Sequence, residues 1–285
     1  MKLPAVRMEE AGLADIGRVE ISGRFVSVGV GPLELENRGS RGKRGEISSY
    51  SARSAKRLAR RLGALGDVWD EPVLWVTGTF STSAAPGVDA ARKTFKLAWR
   101  DWSRELAEEA FAIWKREFTR NGTIHYHFFL FGCGGADLRE LREGWGRRWC
   151  AAARAYGCYV PAMEHAAVSV EWWRGGGDRC GYALKEAGKG IGVVEGVDGA
   201  SIGRSWGILN RLQYLEACRR GGGVERVVSG PVTSTFRVLG GIVQEVVEAE
   251  MRRRVKGTIR SYWAILPASA AIMVADLMEH VTTMV

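Results

Sequence analysis

Histidine, the commonest side-chain metal ligand, is scarce in this chain: 285 residues hold only four. Cysteine is hardly richer. Cys133, Cys150, Cys158, Cys180 and Cys218 form no C-x-x-C pair and are odd in number. That argues against a zinc knuckle or a disulfide frame and reads as the reduced thiols of a cytoplasm. No G-x-x-x-x-G-K-S/T loop occurs, which excludes an ATP-driven helicase. Long apolar runs are missing as well. The longest uncharged one, Ser261–Ala275, is interrupted by Pro267 and closed by Asp276. It falls short of the roughly 20 residues a membrane span needs and reads as a packing helix or tail. Glu9 and Glu10 come early and no apolar leader stretch surrounds them, so the expectation is a cytoplasmic protein without a signal peptide or membrane anchor.

What is present is positive charge. The net charge is +9 at pH 7 with a pI near 9.5, which favours a polyanionic partner, nucleic acid first. A hydrophobic content of 46% is enough for one large domain with extensions. The densest basic stretch runs from Arg38 to Arg61, with Glu46 as its one acid. Its second half, Ser51–Leu65, places Leu58, Leu62 and Leu65 at helical spacing with Ser51 as a cap. Arg53, Lys56, Arg57 and Arg60 are then candidate DNA-phosphate contacts; a merely solvated basic helix is the alternative.

The element pattern predicts an α+β fold. Gly17–Val30 alternates as a short hairpin, Val73–Phe80 reads as a buried strand and Asp89–Phe111 as a helix. Ile113–Thr119 and Thr123–Phe131 form a second hairpin. Asp137–Tyr156 is helical, Ala166–Trp173 a strand and Asp178–Lys189 a helix. A short helix to Arg220, the Gly221-Gly222-Gly223 break, a strand and a helical tail follow. The order β-α-β-β-α-β is that of a ferredoxin-like antiparallel sheet with helices on one side. The expected organisation is a basic N-terminal extension (1–66), a central domain (67–210) and a mostly helical C-terminal extension (211–285).

Two of the four histidines sit together in His125-Tyr126-His127, inside the run from Ile124 to Phe131. Side chains alternate along a strand, so both imidazoles face one way and Tyr126 the other. Glu117 lies on the preceding strand. A two-residue Asn121-Gly122 turn pairs it with Tyr126 and aims it away from the histidines. A three-residue Arg120-Asn121-Gly122 loop, with Gly122 left-handed, pairs it with His125 on one face. In that register two imidazoles and a carboxylate suit Mn²⁺, Mg²⁺ or Zn²⁺ with positions open for substrate. Glu171 is the reserve third ligand if the register is even; His165 and His280 are not expected to be ligands. Further on, Tyr182, Lys185 and Lys189 share one helical stripe, where a cation can stabilise a phenolate or an attacked phosphate. Taken alone, a half-buried tyrosine with solvated lysines explains them as well.

Together these pieces resemble the HUH endonucleases, specifically the rolling-circle replication initiators of plasmids, phages and related mobile elements. Val76-Thr77-Gly78-Thr79-Phe80-Ser81 is similar to the family's first motif strand, with Gly78 where Leu usually stands; Thr77 and Thr79 belong to it. His125-Tyr126-His127 is similar to the His-hydrophobe-His motif, and Tyr182-Ala183-Leu184-Lys185 to Tyr-x-x-Lys. Gly45–Ser54 and Gly203-Arg204-Ser205-Trp206-Gly207 resemble flanking elements of bacterial members.

The resemblance implies a metal-dependent endonuclease and strand transferase acting on single-stranded DNA or an origin hairpin. His125, His127 and Glu117 would hold Mn²⁺ or Mg²⁺. Tyr182 would become 5′-phosphotyrosyl with Lys185 beside it, and Lys189, Arg204 and Trp206 would contact DNA. It also implies a host helicase and polymerase as partners. Glu186 stands where many relatives carry a second tyrosine, so a second protomer or a water-mediated step would end each cycle. Trp172, Trp173 and Trp206 are open to base stacking or to core packing. A one-tyrosine transposase of the same class and a non-catalytic RRM-like module are the alternatives. An H-x-H zinc hydrolase or a cupin lacks its further ligands here.

Overall fold

A computed structural model describes residues 15–22, 24–32, 52–119, 122–173, 183, 205–222, 225–231, 261–265, 274 and 276. They form an α+β architecture around two antiparallel sheets. In chain order the strands are β1 (Asp15–Ser22), β2 (Phe25–Pro32), β3 (Leu74–Thr79), β4 (Phe111–Phe118) and β5 (Ile124–Phe131), then β6 (Val168–Trp172), β7 (Trp206–Leu209), β8 (Glu225–Pro231) and β9 (Ser261–Ile265). The helices are α1 (Ala52–Gly63), α2 (Val88–Trp102), α3 (Leu138–Ala155), α4 (Met163–Ala166) and α5 (Arg211–Arg220). One sheet has the order β6-β3-β5-β4-β7 and the other β8-β1-β2-β9.

Alternation divides the five-stranded sheet into two faces. Leu74 and Val76 of β3, Tyr126, Phe128 and Leu130 of β5, and Val170 of β6 point to one side. There they meet Phe95, Ala98 and Trp102 of α2 and Trp145 and Trp149 of α3. Aromatic packing dominates this layer: the Tyr126 ring stacks on Phe95 at 4.2 Å. Asp137 caps α3 by accepting from the backbone N–H groups of Arg139 and Glu140 at 2.7 and 3.1 Å.

The opposite face carries a second core of Ile113, Phe129 and Phe131 beneath α1 and α5. Leu58, Leu62 and Leu65 all turn inward and are buried, as their spacing predicts; each such burial contributes about 1.5–3 kcal/mol. The end of α1 is fully accounted for. Ala64 N–H donates to Arg60 O, the Tyr214 hydroxyl to Arg61 O, the Trp69 indole to Leu62 O and Arg24 N–H to Gly63 O. The first of these four carbonyls is satisfied by the residue that follows the helix and the other three by residues from three other segments, which fixes α1 on the sheet. Helices therefore cover both faces, where the sequence pattern predicts one.

Other differences have local causes. The expected helix from Asp89 to Phe111 stops at Trp102, and Phe111 already belongs to β4. The helix-favouring Leu106–Ala110 segment is overridden by the burial of Ala110 and Phe111 at the sheet. The hairpin expected near Gly17–Val30 is present as β1 and β2. Its two outer neighbours come from the C-terminal part, much of which lies outside the described residues. Ser261–Ile265, read as a packing helix or tail, is a strand paired with β2, and β8 pairs with β1. Tyr262, Trp263 and Ile265 suit a pleated surface. Among the described residues no helix is long and apolar enough to cross a membrane.

Candidate functional site

The hairpin between β4 and β5 adopts the odd register. Glu117 pairs with His125, and Lys115 with His127. Thr119 N–H donates to Thr123 O at 2.9 Å, leaving three residues between them, and Gly122 has φ +76°. A left-handed residue there closes a three-residue loop, which glycine does without a Cβ penalty. Loop parity thus places Glu117, His125, Lys115 and His127 on one face, and Tyr126 in the α2 core.

The neighbouring strand β3 orients both imidazoles. Thr77 pairs with His127 and Thr79 with His125. The Thr77 hydroxyl lies 3.1 Å from His127 Nδ1 and the Thr79 hydroxyl 3.4 Å from His125 Nδ1. In the tautomer whose Nδ1–H donates to the threonine oxygen, the lone pair of each ring resides on Nε2, the arrangement that a second shell imposes on metal-binding histidines. Trp75 stacks on the His127 ring at 5.1 Å and 15°, which limits its rotation. Burial holds His125 below its ordinary pKa, against the opposing pull of Glu117, and so favours the neutral imidazole a cation requires.

From the other side of the sheet, α3 fixes the same two threonines through their carbonyls. The Trp145 indole donates to Thr77 O at 2.9 Å and the Trp149 indole to Thr79 O at 3.0 Å. Between them lies Gly78, where a Cβ would come within 2.8 Å of the Trp149 ring. The tryptophan fills the space that a larger residue at position 78 would claim.

Glu117 completes the near arrangement. Its Oε2 is 3.6 Å from His127 Nε2, and its Oε1 accepts from Lys115 Nζ at 2.7 Å. Two ligands of one ion bound at about 2.1 Å stand roughly 3.0–3.4 Å apart, so the His127–Glu117 pair is nearly at that spacing. His125 stands farther off, with 6.0 Å between the two imidazole centroids. Among the described residues no three His, Cys, Asp or Glu side chains are gathered tightly enough to hold a metal ion. The donor set nonetheless fits a divalent cation by its chemistry: two oriented imidazoles and a carboxylate on one face. Glu171, the reserve ligand, is exposed, accepts from the Ser169 hydroxyl at 2.6 Å and pairs with Trp75 on the histidine face, with β3 standing between it and the histidine strand.

A cavity opens over this face. Leu58 and Leu62 of α1, Trp75, Lys115, Glu117, His127 and Ala183 line it. Ala183 is fully buried and helical. The adjoining Tyr182, with Lys185, Lys189 and Arg204, lies outside the described residues. Arg57 of the overlying α1 is exposed, while Lys56 and Arg60 are half-buried; the Arg53 side chain lies outside the described set. Trp206 is half-buried, packs in the second core and donates from its indole to Ser54 Oγ at 2.9 Å, tying β7 to α1. Trp173 belongs to the same core and Trp172 packs against the other one.

Sequence reasoning missed Lys115 and Trp75. Lys115 was visible as the residue two before Glu117 on the same strand, and Trp75 as the residue two before Thr77. Comparison with family models, curated proteins and solved structures finds no match to this chain.

Proposed function

We propose that the protein is a metal-dependent, single-tyrosine HUH endonuclease that nicks and rejoins single-stranded DNA to initiate rolling-circle replication. The observation that carries this reading is the one-faced grouping of His125, His127 and Glu117, of which His127 and Glu117 line a cavity also lined by Ala183, the residue after Tyr182. The sheet order supports it. β5 lies between β3 and β4, splitting the β3-α2-β4 unit, and β3 lies between β5 and β6, splitting β5-α3-β6. That is the pattern of a ferredoxin-like sheet. The cover provided by α1 speaks against an open aromatic platform of the RRM kind.

In this reading His125, His127 and Glu117 would hold a Mn²⁺ or Mg²⁺ ion, which would supply charge neutralisation at the scissile phosphate. Thr77 and Thr79 keep the imidazoles turned outward. Tyr182 Oη attacks phosphorus in line, the P–O3′ bond breaks, and the phenolic proton ends on the departing 3′ oxygen. The product is a 5′-phosphotyrosyl bond and a free 3′-hydroxyl. Lys185 lowers the cost of the phenolate, and the cations of α1 track the backbone of the strand. Because the phosphotyrosine retains the bond energy, attack by a later 3′-hydroxyl rejoins DNA without ATP.

The test uses a 3′-labelled pool of random-sequence single-stranded DNA with Mn²⁺. Wild-type protein should acquire label that survives SDS, and both Tyr182→Phe and excess chelator should abolish it. Label retained by Tyr182→Phe overturns the mechanism.

A further inference from the structure

Lys115 lies in the floor of the cavity and belongs to none of the motifs. Its side chain is only 9% exposed, and its ammonium donates to Glu117 Oε1 at 2.7 Å. It pairs across the strands with His127, so a fixed positive charge stands within the donor set itself. With both imidazoles in the neutral form a cation requires, the two rings, one carboxylate and one ammonium sum to no net charge. A dication entering such a set meets the repulsion of Lys115 and a carboxylate already engaged.

We infer that Lys115 and a divalent cation are alternative counter-ions of Glu117, so that metal binding proceeds by exchange with the Lys115 ion pair. The inference rests on the metal-site part of the proposed function and concerns this chain's own lysine. In the structure Glu117 spans Lys115 and His127 while His125 stands apart. The inference also assigns Lys115 a positioning role: the ammonium holds the carboxylate on the histidine face and sets how tightly the site retains its ion. A weakly held ion suits a site that must admit and release a polyanionic strand.

The experiment uses the full chain stripped of metal and titrated with Mn²⁺ by calorimetry, with no DNA. Lys115→Met preserves the buried alkyl chain and removes the charge. Taking a unit positive charge from about 5 Å of a dication should tighten Mn²⁺ binding roughly tenfold or more. Lys115→Arg, which keeps the charge, should stay within about threefold of wild type. Equal Mn²⁺ affinity in wild type and Lys115→Met overturns the inference, as does tightening of the same size in Lys115→Arg. If Lys115→Met does not fold, the wild type still decides. In side-chain ¹⁵N NMR, Mg²⁺ should shift the lysine ammonium signal that Lys115→Arg lacks, and an unmoved signal at saturating Mg²⁺ overturns the exchange. A tighter Mn²⁺ site in a protein that forms no tyrosyl adduct leaves this inference standing and removes only the nicking reading.

Discussion

Replacing Thr77 by valine isolates the role of β3 in the site. Valine matches the shape of threonine and suits a strand, so the substitution removes the hydroxyl 3.1 Å from His127 Nδ1 and little else. Losing an outer-shell partner of a ligand histidine lowers metal affinity about 10–100-fold, or roughly 1.4–2.8 kcal/mol. Leaving the imidazole N–H without that acceptor in a half-buried position costs about 1 kcal/mol of fold stability. The same change at Thr79, whose contact with His125 is 3.4 Å, should do less on both counts. Calorimetric Mn²⁺ titration of the metal-free chain measures the first effect and urea unfolding the second. Thr77→Val binding Mn²⁺ within twofold of wild type, with its fold intact, would refute the claim that these hydroxyls orient the ligands. So would a larger loss in Thr79→Val.

Gly78→Leu, which restores the residue usual in the resembled motif, should destabilise by about 1–3 kcal/mol or more, because the 2.8 Å approach to Trp149 leaves no room. Trp149→Ala should cost less in the Gly78→Leu background than alone, and additive urea-unfolding energies would contradict the paired-volume account. Gly122→Val should cost about 1–2 kcal/mol, because φ is +76° there, while Gly122→Asn should be far milder; a neutral valine in thermal unfolding would speak against the left-handed loop. The Cys133 thiol is pushed up to about 11 by burial, with Glu109 adding to the rise. Its un-ionised form is the one the fold retains, so its contribution is present below pH 9 and lost as pH rises from 9 toward 11. Wild type should therefore lose stability relative to Cys133→Ala across that window, and parallel pH profiles would exclude the effect.

Much of the central sheet is legible in the chain because its signals are local. Leu74–Thr79, Ile124–Phe131 and Leu138–Ala155 lie within two residues of where apolar periodicity and the Asp137 cap put them. The sequence leaves two hairpin registers open, and Gly122 in the left-handed region goes with the one that pairs Glu117 with His125. What escapes is set by contacts distant in sequence. β7 is only four residues long and pairs with β4 across some ninety positions, and β8 and β9 reach back to the N-terminal hairpin. No local pattern encodes such partners. The same holds for Trp206, which in the sequence is open to stacking or packing until α1 offers Ser54 to its indole. Lys115 escaped because a lone lysine in an apolar strand looks like an outward-facing residue, and only the cover of α1 makes its position a buried one.

The two threonines of β3 are gripped twice, at the hydroxyl by imidazole and at the carbonyl by indole. Sliding β3 by one residue against its neighbours would break all four contacts together and send Gly78 to the histidine side. The centre is therefore protected against shear as well as against rotation. Shear along the strands is the motion that such a one-residue slip of register requires. Two tryptophans on the far side act as pins through the sheet, and the load they take is mechanical.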